Sequence, residues 1–218
     1  MVRASDRIPL FLLAAVGLAF VGLGWAPKAD RFTWFMENLP VLLGVPALIA
    51  THRRFPLSNL LTILIALHCL VLMVGGYWTY AEVPAGHWVR QWLHLARNPY
   101  DRLGHLFQGF VPVLIFREVL LRKGVLKPGP WSAFVLILMT LGLSAAYELL
   151  EWQTAVWTGS SADAFLGSQG DPWDTQWDMA CALIGASAAL ATLTRFQDRQ
   201  IRGLQPSEIA LPAQPPGC

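Results

Sequence analysis

Charge is scarce in this sequence. Of its 218 residues, 14% are Asp, Glu, Lys or Arg, against about 25% in an ordinary soluble domain. With 55% apolar residues, ten Trp and a mean hydropathy of +0.45, the chain lacks the polar surface that a water-soluble fold needs, and composition alone makes it an integral membrane protein. A net charge of +2 is too small to attract nucleic acid, and the basic residues fall in short segments between apolar runs instead of forming one face. Cysteine is nearly absent. Cys69, Cys181 and Cys218 stand singly, which excludes a disulfide framework and a CxxC metal site. No GxGxxG, P-loop, CxxCH or Ser nucleophile elbow occurs, so nothing points to a nucleotide, nicotinamide or haem.

What is present is a series of apolar runs. Ile8 to Trp25 follows Arg3 and Arg7 and is long enough for a retained first span. Phe32 to Ala50 is interrupted by Glu37, Asn38, Pro40 and Pro46 and ends at His52, Arg53 and Arg54. Leu57 to Tyr77 is the cleanest span, closing on an aromatic interface at Tyr77 and Trp78. Further spans run from Asp101 to Leu121, from Pro130 to about Glu151 and from Asp174 to Phe196. The sequence therefore predicts an all-α membrane protein, a bundle of six transmembrane helices forming one domain over 1–202, with a disordered cytoplasmic tail over 203–218. In the 79–100 loop, the spacing of Trp88, Trp92 and Leu95 predicts a short interfacial helix.

Lys and Arg distribution orients the bundle. Arg53 and Arg54, Arg117 to Lys127 and Arg195 to Arg202 share a side with the N-terminus, whereas residues 154 to 173 hold no basic residue. The positive-inside rule then puts both termini in the cytoplasm. On the opposite side three acidic patterns share one depth: Asp101 with His105 in DRLGHLFQ, Glu148 with Glu151 in YELLEWQ, and Asp174 with Asp178 in DPWDTQWD. Residues three or four apart share a helix face. Each ionisable group costs about 2.5 to 3.5 kcal/mol at membrane depth and normally faces a partner or a wet cavity. A metal ion, raised carboxyl pKa values, or Arg90, Arg97 and Arg102 would each compensate them. Asp101 and Asp174 are also placed to cap their helices. Glu148 and Glu151, expected at a helix C-terminus, and His105 and Asp178, a turn inside theirs, are not explained by capping. Tyr147, Gln108 and Gln153 are candidate supporting groups, and Glu37 approaches from the second span.

The stretches YWTYAEVPAGHW, NPYDRLGHLFQGF, YELLEWQ and DTQWDMACALIGA resemble the YjdF-like family of bacterial inner-membrane proteins over roughly residues 10 to 200. The resemblance implies an inner-membrane location and no particular chemistry. The order of Asp101 and His105, Glu148, then Asp174 and Asp178 ahead of Gly185 is also similar to VanZ-like membrane proteins, with Glu151 where that pattern has Gln and Ala182 where it has Asn. This second likeness implies a role in the cell envelope.

Two functions fit these residues. In one, Asp101, His105, Glu148, Glu151, Asp174 and Asp178 are the catalytic candidates of an outward-facing site, with His105, Glu148, Glu151, Asp174 and Asp178 holding a divalent metal (Mg, Mn, Ca or Zn) that acts on a lipid or lipid-linked envelope substrate. In the other, the same groups serve a proton- or cation-coupled small transporter or envelope-stress factor without catalysis. Membrane lipid is the partner in both. A plain membrane scaffold, in which the charges only cap and pair, is a third reading.

Overall fold

In the computed structural model, residues 7–159 and 166–204 are described, and every helix or strand among them is helical. The elements are α1 (Arg7–Trp25), α2 (Arg31–Glu37), α3 (Leu39–His52), α4 (Asn59–Trp78), a 3₁₀ turn (Tyr80–Glu82), α5 (Pro84–Trp92), α6 (Tyr100–Arg122), α7 (Pro130–Thr158) and α8 (Asp174–Leu204). Inside a bilayer the backbone must satisfy its own hydrogen bonds, so each long apolar run closes into a helix. Five helices are long and apolar enough to cross a membrane, and α2 with α3 makes a sixth span bent by 47°.

The bend falls where the sequence weakens the helix. Asp30 caps α2 by accepting from the Phe32 and Thr33 amides at 2.9 and 3.0 Å and from the Thr33 hydroxyl at 2.6 Å. Pro40 lacks an N–H and cannot extend that helix through Asn38. The Asn38 amide instead donates to the Trp34 carbonyl at 2.8 Å and packs against Gly76, where a Cβ would strike it.

Helices α6 and α8 form the axis of the bundle. Gly109 sits on the Ala182 carbonyl and Gly185 on the Leu106 carbonyl, so closely that a Cβ at either glycine would overlap backbone. Small residues substitute here for the hydrophobic effect, which is weak between helices in lipid. Around this seam Leu61, Val111, Leu114, Leu136, Ala186 and Ala189 make the main core. Helix α1 packs on α4 through Val16, Ala66, Cys69 and Met73.

Two polar clusters bracket that core. Asp101 and Glu118 are 17 residues apart on α6, about 25 Å at 1.5 Å per residue, close to the roughly 30 Å of hydrocarbon. At one end, which we call the basic end, Glu118 is fully buried. It accepts from the Ser58 amide and hydroxyl at 2.8 and 2.6 Å and from Arg122 at 3.0 Å. Buried Arg117 donates to Gln197 at 3.0 Å and Asp198 at 2.7 Å. The other end, the acidic end, holds the three patterns singled out in the sequence.

Two helices outrun their expected ends. α7 continues past Glu151 to Thr158, and α8 passes Phe196 to Leu204. At 31 residues α8 is about 46 Å long, well beyond the hydrocarbon thickness. Of the expected tail, residues 203 and 204 are helical and 205–218 lie outside the described residues.

Candidate functional site

At the acidic end the approach to α6 is pinned first. Fully buried Asn98 donates to the Ala81 and Val83 carbonyls at 2.9 and 3.0 Å. Its backbone pairs with the Gln169 side chain on both sides, N–H at 2.9 Å and C=O at 3.0 Å, and its Oδ1 accepts from the Tyr100 amide at 3.0 Å. One residue thus ties the 3₁₀ turn, the start of α6 and the segment before α8 into one frame. Gly86 clears space for it, because a Cβ there would fall on the Asn98 amide. The predicted interfacial helix is α5, whose Trp88 and Trp92 are largely exposed.

From that frame two arginines reach the acids. Arg97 pairs with Asp101 at 3.1 Å and Asp171 at 3.6 Å, and also with Asp174. Arg102 pairs with Asp171 at 3.2 Å and Asp174 at 2.9 Å, and also with Asp178. These are the compensating cations expected from the sequence; Arg90 lies on exposed α5 instead. Asp101 and Asp174 spend their carboxylates on the arginines, and no backbone cap is recorded for either among the described residues.

His105 lies at the centre, 6% exposed. Its Nε2 is 3.6 Å from Asp101 Oδ1 and 3.8 Å from Asp178 Oδ1, and its Nδ1 is 3.7 Å from Glu148 Oε1. Nδ1 also lies 2.9 Å from Gln108 Oε1. A glutamine oxygen accepts only from a protonated nitrogen, so Nδ1 carries its hydrogen and, in the neutral ring, the Nε2 lone pair faces two carboxylate oxygens. Arg97 and Arg102 neutralise the far sides of these carboxylates, and a cation or a proton at Nε2 would complete the arrangement. Tetrahedral donors bound to one ion at about 2.1 Å lie roughly 3.4 Å apart, so the spacings of 3.6 and 3.8 Å from Nε2 would have to contract by a few tenths of an ångström around an ion. Donor atoms of Asp101, His105 and Asp178 all lie within 4.8 Å of one another.

Glu148 adds an independent sign of an unfilled role. It is 7% exposed, and among the described residues its Oε1 has no hydrogen-bond partner. One turn earlier on the same face of α7, the buried Ser144 hydroxyl is also unpartnered. Glu151 stands less than one turn further along α7, partly exposed and outside the tight donor group, and Asp174 faces the arginines. The site therefore joins all three acidic patterns, with Asp101, His105, Asp178 and Glu148 innermost. Because α7 runs on to Thr158, Glu148 and Glu151 sit inside the helix, and the unfavourable C-terminal dipole expected for them does not act.

Sequence reasoning missed Asp171, Asn98 and Gln169, which lie in aperiodic segments. It also missed His68 on α4, whose buried Nε2 is unpartnered and whose ring packs 6.1 Å from Phe107. A His in the middle of the cleanest span was the available signal.

The family model described as "Predicted membrane protein (DUF2238)" matches residues 8–199. The chain is 53% identical over 173 residues to the inner membrane protein YjdF of Escherichia coli (strain K12), which covers 79% of this chain and 83% of that protein. No solved structure matches. The VanZ-like likeness rests on motif order alone.

Proposed function

The chain belongs to the DUF2238 family of predicted membrane proteins, and from that premise we propose that it binds a divalent cation at Asp101, His105 and Asp178, with Glu148 against the other, Nδ1 edge of the imidazole. We infer that it uses this cation on a lipid or lipid-linked envelope substrate from the outer half of the bilayer. The observation that carries the reading is the His105 ring: Gln108 fixes its hydrogen on Nδ1 and leaves Nε2 open between two carboxylates. One imidazole with several carboxylates suits Mn or Zn better than Ca. The ion would polarise a phosphate or carbonyl oxygen, or activate water. Arg97 and Arg102 hold the ligand carboxylates in place and lie beside the position where a lipid phosphate would enter. Exposed Trp152, Trp157, Trp173 and Trp177 on the ends of α7 and α8 and just before α8 are typical of the level where lipid headgroups meet acyl chains.

The test is metal analysis of the purified protein beside Asp178→Asn and His105→Gln variants, with lipid extracts of expressing cells compared by mass spectrometry. About one equivalent of metal in the parent, lost in both variants, and a lipid species that changes only with the parent protein are expected. Metal at background level in all three would overturn the reading. His105 would then be an imidazolium held by carboxylates, which favours proton-coupled transport.

A further inference from the structure

A second cavity lies away from the acidic site. Helices α1, α3 and α4 leave between them an open slot of about 270 Å³. Its walls are apolar, with Leu12 and Val16 from α1, Val45 and Leu48 from α3, and Ala66 and Cys69 from α4. Polarity enters at one end only, at Thr51, His52 and Arg53, beside the basic end of the bundle. Val45 to His52, and likewise Pro9 to Val16, span seven residues, about 10 Å of helix. That is two thirds of the roughly 15 Å of hydrocarbon in one leaflet. Arg53 is exposed, and no acidic group among the described residues pairs with it.

An apolar slot about two thirds of a leaflet deep, under an exposed guanidinium, complements the headgroup-proximal part of an acyl chain that carries an anionic headgroup. We propose that this slot seats one acyl chain of an anionic phospholipid from the leaflet at the basic end, with its phosphate on Arg53. The guanidinium supplies two parallel donors to a phosphate. Each basic residue near an anionic lipid contributes about 1 kcal/mol, a five- to tenfold preference over a zwitterionic headgroup. This site shares no residue with the proposed metal centre and stands or falls without it.

Native mass spectrometry of the full chain in detergent tests the proposal, titrating phosphatidylglycerol and phosphatidylethanolamine with identical acyl chains. Phosphatidylglycerol adducts are expected at five- to tenfold lower lipid concentration. Arg53→Gln, at an exposed position, is expected to abolish that preference, while Arg199→Gln, exposed on α8 near the same end, leaves it intact. Leu48→Trp, which fills the slot, is expected to reduce retention of both lipids without changing the headgroup preference of what remains. Equal retention of the two lipids by the parent chain overturns the proposal. So does an unchanged preference in Arg53→Gln, or an equal loss in Arg199→Gln, which would make the attraction a diffuse effect of surface charge.

Discussion

His105 shows how a single hydrogen bond sets the chemistry available to a site. Gln108, one turn along α6, decides which ring nitrogen keeps its hydrogen. Gln108→Leu removes that decision while keeping volume, and is expected to weaken metal binding about 10- to 100-fold, read by titration of the metal-stripped protein, with little change in thermal stability. Arg102 acts through charge instead. It is the counterion of Asp178, which is 2% exposed. Arg102→Ala strips that buried acid of its guanidinium, at up to about 3 to 5 kcal/mol, and Arg102→Ala with Asp178→Ala is expected to recover part of the lost stability in unfolding assays. Asp101, His105, Glu148 and Asp178 were legible because helical spacing put acids beside apolar runs. Arg117 was not: it counted as a topological loop charge, yet it is 4% exposed and bonded to Gln197 and Asp198. Sequence places a charge along the chain, but the partner that allows its burial lies 80 and 81 residues away.

Among elements, the α6–α8 seam is the most sensitive to volume. Gly185→Leu forces a side chain into the Leu106 carbonyl, so the helices must part. A loss at or above the upper end of the about 1 to 3 kcal/mol typical of overpacking is expected, measured by thermal unfolding in detergent, together with lower metal content as Asp178 moves away from His105. The start of α2 is sensitive to acid. The Thr33 hydroxyl, with the Thr33 and Phe32 amides, holds the Asp30 carboxyl below its ordinary value. A carboxylate lowered in this way stabilises the fold above its unfolded value near 3.9, and the contribution fades as pH falls through the folded value. Asp30→Ala is expected to destabilise by about 1 kcal/mol at pH 7, with the gap from the parent narrowing as pH falls below the unfolded value. The break between α2 and α3 was readable from Asn38 and Pro40. The extension of α7 was not, because Gln153 to Thr158 has neither a clean apolar period nor a stop signal.

For the whole molecule, the decisive feature is the separation of the two polar clusters by an apolar core about as thick as a membrane. The positive-inside rule predicts the basic end in the cytoplasm; on that orientation a membrane-impermeant maleimide is expected to label Trp88→Cys in intact spheroplasts, in a background without native cysteines, and to label Arg199→Cys only after lysis. The reverse pattern would place the acidic site on the cytoplasmic side. The ion pairs at that site also join distant parts of the chain, since Arg102 and Asp178 are 76 residues apart. When α6 leaves the ribosome, the acids that neutralise Arg102 have not been synthesised. The two helices thus depend on each other for charge balance: α6 carries an arginine whose counterions on α8 come later in the chain.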